Sequence, residues 1–440
     1  MHQQIVSLVR RAGVVGAGGA GFPTHVKLGS RVQTYIVNGA ECEPLLYKDK
    51  ELMRLCAERL VHGLRLAVEA TGASRGVIAV KAKYHEAIEA MQRAAANQRI
   101  ELCFFDNFYP AGDEYVVVQK VTGRLIPPGG IPLQVGAAVN NVETLVNVSL
   151  AAEGVPVTLK ALTVAGAVAE PASFVVPLGT TLGEVLALAG GASVPDPVAL
   201  EGGAMMGRVV TDFSRPVTKT TGGYIVLPRD HALVRRKTRS DEAKVRIARS
   251  ACDQCSFCTE LCPRFLMGYA IEPHKVMRAV GFAGDKEAGW ARLGLLCCEC
   301  SLCELYSCPE DLTPREMCLR AKKLWAARGV KPEPLVGLGR AHPLQEARRV
   351  PVDRLIHRLG LNRYDVAAPL SERTAQPAQV QLPLRQHVGV AARPVVASGQ
   401  QVRAGQLVAD IPEGQLGAPL HAPIDGQISR IEPDCLWIAR

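Results

Sequence analysis

The stretch GAGGAGFPT, Gly16–Thr24, decides how the first third of the chain is read. It satisfies G-x-G-x-x-G, with Glu41 about twenty residues downstream, the arrangement of a dinucleotide-binding turn. Such a turn must leave a buried strand, yet Ile5, Leu8, Val9 and Ala12 repeat just before it with helical spacing. Phe22-Pro23-Thr24 after the last glycine also suits a turn better than a smooth helix start. The ordinary Rossmann turn is therefore rejected. The glycines keep a physical use, because backbone N–H groups without side chains around them can approach a phosphate or a flavin ring.

Outward from this loop, residues 1–150 alternate strand and helix: strands at Val32–Val37, Gly76–Val80 and Ile100–Phe105, helices at Lys50–Thr71 and His85–Asn97. Gly123–Gly136, rich in Gly and Pro, reads as an irregular loop. From about 155 to 230 the texture turns to short β runs (Thr158–Val164, Ala172–Val176, Tyr224–Leu227) with one helix at Thr181–Ala189, the pattern of a β-grasp module. Residues 238–330 read as helical, 331–380 as a Pro- and Arg-rich linker with a short helix at Val352–Leu359, and the last sixty or so as β again, with Gly-based turns.

The helical region carries the chemistry. Cys252, Cys255, Cys258 and Cys262 stand at C-x2-C-x2-C-x3-C before Pro263; Cys297, Cys300, Cys303 and Cys308 stand at C-x2-C-x2-C-x4-C before Pro309. Three thiolates two residues apart with a fourth before proline wrap a [4Fe–4S] cubane. In two-cluster ferredoxins the fourth cysteine of each run serves the other cluster. That assigns Cys252, Cys255, Cys258 and Cys308 to one cubane, and Cys297, Cys300, Cys303 and Cys262 to the other. Structural zinc, the bland reading, wants two separated pairs rather than two dense runs of four. Cys42, Cys56, Cys103, Cys298, Cys318 and Cys435 fall outside the register and read as small buried apolar residues, with Cys298 the nearest to an alternative ligand.

The 440 residues suggest several domains, and 48% hydrophobic with 21% charged residues suits a globular protein. No apolar run reaches the roughly 18 residues of a membrane span, and no signal peptide is evident, so a cytoplasmic protein with no transmembrane segment is expected. Thiols stay reduced there, and fourteen cysteines then mean metal or redox work. The net charge of +9 is diffuse and only 5% of residues are aromatic, which argues against nucleic acid; a basic face for an acidic redox partner or anionic cofactor fits better.

Four ordered motifs resemble those of the complex I 51-kDa subunit family: GAGGAGFPT with Lys27, NGAECEP (Asn38–Pro44) with Lys48-Asp49, YPAGDE (Tyr109–Glu114) and NNVET (Asn140–Thr144). The resemblance implies a Rossmann-like α/β domain holding non-covalent FMN, with NADH as substrate. Asn38, Asn140, Asn141 and Thr144 would bind FMN ribityl and phosphate groups. Gly18, Gly19 and Gly21 would wall the flavin, Lys27 would meet phosphate, Phe22 would stack near the NADH, and Glu41, Glu43 and Glu114 would position it. Ala40 replaces that family's usual aspartate and Ser30 a second stacking aromatic; Ala40 and Cys42 agree with the RnfC branch, which carries two cluster motifs as well.

In that branch a barrel-sandwich module precedes the flavin domain, whereas here HVGV, GQQVRAGQLV and HAPIDGQI (His387 to Ile428) place a similar module last. No lysine follows Lys331, so it carries no lipoyl or biotinyl group. This order, and the RRAGVVGAGGAGFPTHVK and CCECSLCELYSCP runs, resemble the PduS-type cobalamin reductases of propanediol-utilisation microcompartments. The β-grasp region with EGGAMMG (Glu201–Gly207) resembles the SLBB fold. The expectation is thus a multidomain α/β protein: an FMN/NADH domain at 1–152, an SLBB-like domain at 153–232, an α-helical two-cluster ferredoxin domain at 238–330, a linker at 331–380 and a barrel-sandwich hybrid at 381–440. The resemblance implies reduction of cobalamin to cob(I)alamin, with a cobalamin adenosyltransferase and shell proteins as partners within a microcompartment. An RnfC-like electron-input subunit and a non-catalytic relay are the alternatives.

Overall fold

The computed structural model describes residues 2–96, 98–283, 289–331 and 340–440. Its first layer is a four-stranded parallel sheet in the order Ile100–Phe105, Arg75–Lys81, Thr34–Gly39, Ala137–Asn141. Tyr35, Ile36 and Val37 are consecutive and all buried, as a parallel strand covered on both faces requires. Ala57–Thr71 and Val142–Ala152 pack together so closely that a Cβ on Gly63 would meet the Leu145 carbonyl oxygen at 1.9 Å. The helix expected over Lys50–Thr71 is two, Lys48–Leu55 and Ala57–Thr71, because Cys56 leaves helical geometry (φ −116, ψ 28). The helix beginning at His85 ends at Ala94, and Asn97, expected as its last residue, lies outside the described residues.

The second module is a five-stranded mixed sheet, Ala172–Pro177, Leu159–Gly166, Gly223–Pro228, Pro197–Glu201, Arg208–Val210, crossed by the helix Leu182–Leu188. Thr181 starts that helix with a capping box, its hydroxyl accepting from Glu184 N while the Glu184 carboxylate accepts from Thr181 N. Two small sheets make the last module: Gln379–Pro383, Cys435–Ala439, Gly426–Glu432 and Gln401–Val402 in one, Arg393–Pro394, Leu407–Asp410 and Leu420–His421 in the other.

The cysteine region is helical, with Asp241–Ala251, Pro273–Ala283 and Pro314–Ala327 around a core of Met277, Met317, Cys318 and Trp325. The expected linker is in large part a strap. Residues 332–339 lie outside the described residues, but Val350–Pro351 pairs antiparallel with Phe108–Tyr109, and Val352–Arg358 buries Val352, Leu355 and Ile356 against the flavin-type domain. The short helix expected at Val352–Leu359 is present as Val352–Arg358; its docking on the first domain is what the Pro- and Arg-rich composition did not show. Among the described residues no helix is long and apolar enough to cross a membrane.

Candidate redox site

The glycine loop is held from behind. Ala17 N donates to the Thr144 hydroxyl (2.9 Å), and Lys160 Nζ donates to the Ala17 carbonyl (3.3 Å) while pairing with Glu143. Lys48 bridges Asp49 (2.6 Å) and Glu143 (3.2 Å), and Asn141 Nδ2 donates to Asp49 (2.7 Å), so NNVET and the Lys48-Asp49 pair form one buried network. These charges are out of water and survive only because each is paired. In front of the network a cleft of about 700 Å³ opens. Gly19 has φ +108 and nothing within 4 Å of a Cβ position, so its backbone faces open space as a flavin or phosphate cradle needs.

The expected residues divide. Gly18, Gly19, Asn38, Glu41, Glu43, Glu114 and Asn141 line the cleft. Gly21, Phe22, Lys27, Asn140 and Thr144 do not: they brace it. Asn140 donates to the Tyr35 hydroxyl (2.9 Å), and Lys27 donates to the Val139 carbonyl (2.7 Å) with Glu114 3.6 Å away. Gly21 (φ +66) abuts Thr220 and His387, where a Cβ would come within 2.9 Å of the threonine methyl. Burial raises the Glu41 carboxyl, with Asp49 adding to it. Both Glu43 oxygens accept backbone amides of the second module, from Met205 and Met206 at 2.8 Å, and burial still lifts this carboxyl to about 7. Glu43 is therefore a tie between two modules as well as a wall residue.

The second module supplies a wall that the motifs did not announce: Arg208, Arg215, Thr218, Thr220 and Thr221. No sequence signal singled them out, because they come from a separate domain. The wall's other contribution is Cys298 and Cys300 from the second cysteine run. Tyr109 Oη donates to the Cys300 carbonyl (2.7 Å), joining YPAGDE to that run. Arg264, almost fully buried, grips Asp113 at 2.6 and 3.0 Å and stacks 3.9 Å over the Tyr115 ring. Asp113 in turn caps the helix Glu114–Thr122.

The two runs share a backbone. Gln254 and Ser256 in the first, Glu299 and Ser301 in the second, all hold φ of +63 or +64, left-handed values that cost about 1–2 kcal/mol each for such residues. The turns bring amides onto sulfur, as where Glu299 N donates to Cys297 Sγ (3.4 Å). The extra residue of C-x4-C is absorbed as a π turn, Cys303–Ser307, where the C-x3-C run has the α turn Phe257–Glu260. Cys262, Cys297, Cys300 and Cys303 line one cavity, together with Cys298 and Cys318. Cys252, Cys255 and Cys308 surround Cys258, whose thiol burial pushes up to about 12 with those neighbours adding to it. Among the described residues no three His, Cys, Asp or Glu side chains converge tightly enough for a single metal ion.

This donor set fits a cluster. Buried thiols raised this far ionise beside the positive charge of a metal centre. Ser301, 1% exposed and with its hydroxyl lacking a hydrogen-bond partner, also lines the cavity and would offer a cluster there a donor.

Geometry of this kind defines an oxidoreductase class that joins a flavin cleft to paired iron–sulfur sites, and family profiles agree. Residues 9–150 match the Nuo51 FMN-binding domain, 162–209 the SLBB domain, 251–313 a 4Fe-4S dicluster domain and 366–437 the RnfC barrel sandwich hybrid domain. The chain is 45% identical to "Cobalamin reductase PduS" of Citrobacter freundii over 100% of its own length and 97% of the relative's, and 45% identical to the same protein of Salmonella typhimurium over 99% and 96%. It belongs to the PduS cobalamin reductase family. A component of the proton-translocating ferredoxin:NAD(+) oxidoreductase complex of Clostridium ljungdahlii is 32% identical over 60% of this chain and 56% of that protein. An NAD+-reducing [NiFe]-hydrogenase crystal structure shares the fold, with a TM-score of 0.51 at 22% identity over 74% of this chain and 63% of that one.

Proposed function

We infer that this chain oxidises NADH and reduces cobalamin to cob(I)alamin. The observation that carries the reading is one cleft lined by Gly18, Gly19, Asn38 and Asn141 on one side and Cys298 and Cys300 on the other. When bound, FMN supplies the change from two-electron hydride chemistry to single-electron transfer, and the cubanes pass single electrons onward. The protein's part is placement. The glycine loop offers amides, Asn38 and Asn141 offer donors and acceptors, and the network around Glu143 keeps the loop from moving. Glu41 and Glu114 stand where NADH has to enter. Cys297, Cys300, Cys303 and Cys262 would hold the cluster on the side of the flavin cleft; Cys252, Cys255, Cys258 and Cys308 would hold the second. Tyr109 and Arg264 fix the distance between flavin loop and nearer cluster. No acid–base residue is needed.

The family suggests a microcompartment as the setting, with a cobalamin adenosyltransferase and shell proteins as neighbours. The test is anaerobic spectroscopy of the reconstituted protein, with NADH added first and hydroxocobalamin second. Bleaching of flavin and clusters followed by cob(II)alamin supports the reading. Bleaching without corrin reduction leaves an NADH-driven donor for another acceptor, and no bleaching leaves a relay.

A further inference from the structure

A second cavity, of about 370 Å³, lies behind the wall made by Tyr109 and Pro110, the only two residues it shares with the flavin cleft. Its floor is apolar: Phe108, Val116, Leu261, Leu266, Met267 and Leu302. Its rim carries Lys120 from the helix Glu114–Thr122, and Glu346, Arg348 and Arg349 from the strap. We propose that this cavity binds an aromatic heterocycle joined to a phosphodiester, the chemistry of cobalamin's nucleotide tail, and so holds the acceptor against the clusters. The proposal rests on the cobalamin-reductase reading above.

Three observations support it. The size and the pairing of an apolar floor with a few convergent polar groups are those of a small-molecule site. The rim arginines are held by partners that an anion can displace: Arg349 pairs with Asp106 (3.5 Å) and Glu346 (3.3 Å), which are 74% and 83% exposed. Exposed pairs of this kind are weak and screened by solvent, whereas a phosphodiester meets the flat guanidinium fork with two oxygens. Arg348 pairs with Glu260 (3.3 Å) on the helix that carries Cys258. The third observation is nearness. Pro263 and Leu261 flank Cys262, and Leu302 lies between Cys300 and Cys303, so the floor is one residue, about 3.8 Å of chain, from thiols of the nearer cluster set. The floor is thus built by sequence neighbours of the proposed ligands, with the flavin cleft on the far side of the Tyr109–Pro110 wall.

The experiment uses the full chain loaded with flavin and clusters under anaerobic conditions. Binding of cobalamin is compared with that of cobinamide, which lacks the base and the phosphodiester, in wild type, in Leu266→Trp, which fills the floor, and in Arg348→Gln/Arg349→Gln, which leaves it open. NADH-driven reduction of a viologen dye is the control. The expected result is a preference for cobalamin of about tenfold or more in wild type, lost in both variants, while viologen reduction is unchanged. Equal binding of the two corrinoids by wild type, or variants that keep the preference, overturns the pocket assignment alone. Displacement of cobalamin by FMN added beyond the first flavin equivalent assigns the pocket to a second flavin and overturns the cobalamin assignment. A wild type that reduces viologen but neither binds nor reduces cobalamin overturns the functional reading and the pocket together.

Discussion

The two cysteine runs have nearly the same loop and opposite surroundings. Both place left-handed residues at the same two positions, yet Cys255 in the first run is exposed and Cys300 in the second is buried. Phe257, beside Cys255's loop, is 49% exposed, while the second run lies under Tyr109, Arg264 and the flavin cleft. One loop geometry thus meets two environments: Cys300 stands at the cleft and Cys255 toward solvent, which on the proposed function puts the Cys300 site next to the donor.

The sharpest way to break this contrast is Cys300→Ser. Loss of the nearer cluster should remove roughly half of the bound iron and stop NADH from reducing the remaining cluster, read by iron assay and anaerobic bleaching. Cys255→Ser should cost as much iron but leave the nearer cluster reducible by NADH; if that reduction also fails, the order of the two is reversed. Arg264→Met leaves Asp113, 15% exposed, with its helix-cap hydrogen bonds but without its counter-charge, and should cost about 3 kcal/mol in denaturant unfolding. Removing that cation should also shift the nearer cluster to a more negative potential by more than it shifts the farther one, seen in a redox titration followed by EPR.

A smaller effect comes from the joint between the second and last modules. Lys219 is buried, donates to the Gly13 (2.7 Å) and Pro419 (2.8 Å) carbonyls, and is brought down to about 7 by burial. Burial, with Lys219 nearby, also lowers His387 and His421 to about 4. The unfolded chain holds the lysine proton up to 10.5, so stability rises with pH from about 7 to 10.5; it protonates the histidines below 6.5, so stability falls from pH 6.5 to about 4. Thermal unfolding at pH 5, 7 and 9 should show a rising midpoint, and Lys219→Met should flatten its alkaline half. The smallest change is Ser256→Gly, which relieves a left-handed serine and should add about 1 kcal/mol. No gain there would mean that the loop's strain is absorbed elsewhere.

Much of this was legible because motifs concentrate chemistry in short spans. The cysteine spacing marked both runs, and the structure gathers Cys262 with Cys297, Cys300 and Cys303 as the proposed crossed pairing requires; the glycine loop was separated from an ordinary dinucleotide turn by the helical spacing of Ile5 to Ala12, which the structure has as the helix His2–Arg11. What stayed hidden depends on contacts between segments far apart in the chain. Arg208, Arg215 and the Thr218–Thr221 turn meet the cleft only after the second module docks through Glu43. Cys318 looked like packing, yet it stands among the thiols around the buried cradle. Lys27, Asn140 and Thr144 sit within the right motifs but brace the cleft from behind, a difference of side-chain direction that spacing does not encode.

The last module touches the first at its beginning. Val388 N donates to the Gly21 carbonyl, and Pro419 reaches Gly13 through Lys219, so residues near opposite ends of the polypeptide share one seam. A gene in which this module was written first, ahead of the flavin domain, could dock it in the same seat with only a rerouted connection. Order along the chain and position in space are uncoupled here, and a circularly permuted gene would express a different text for the same machine.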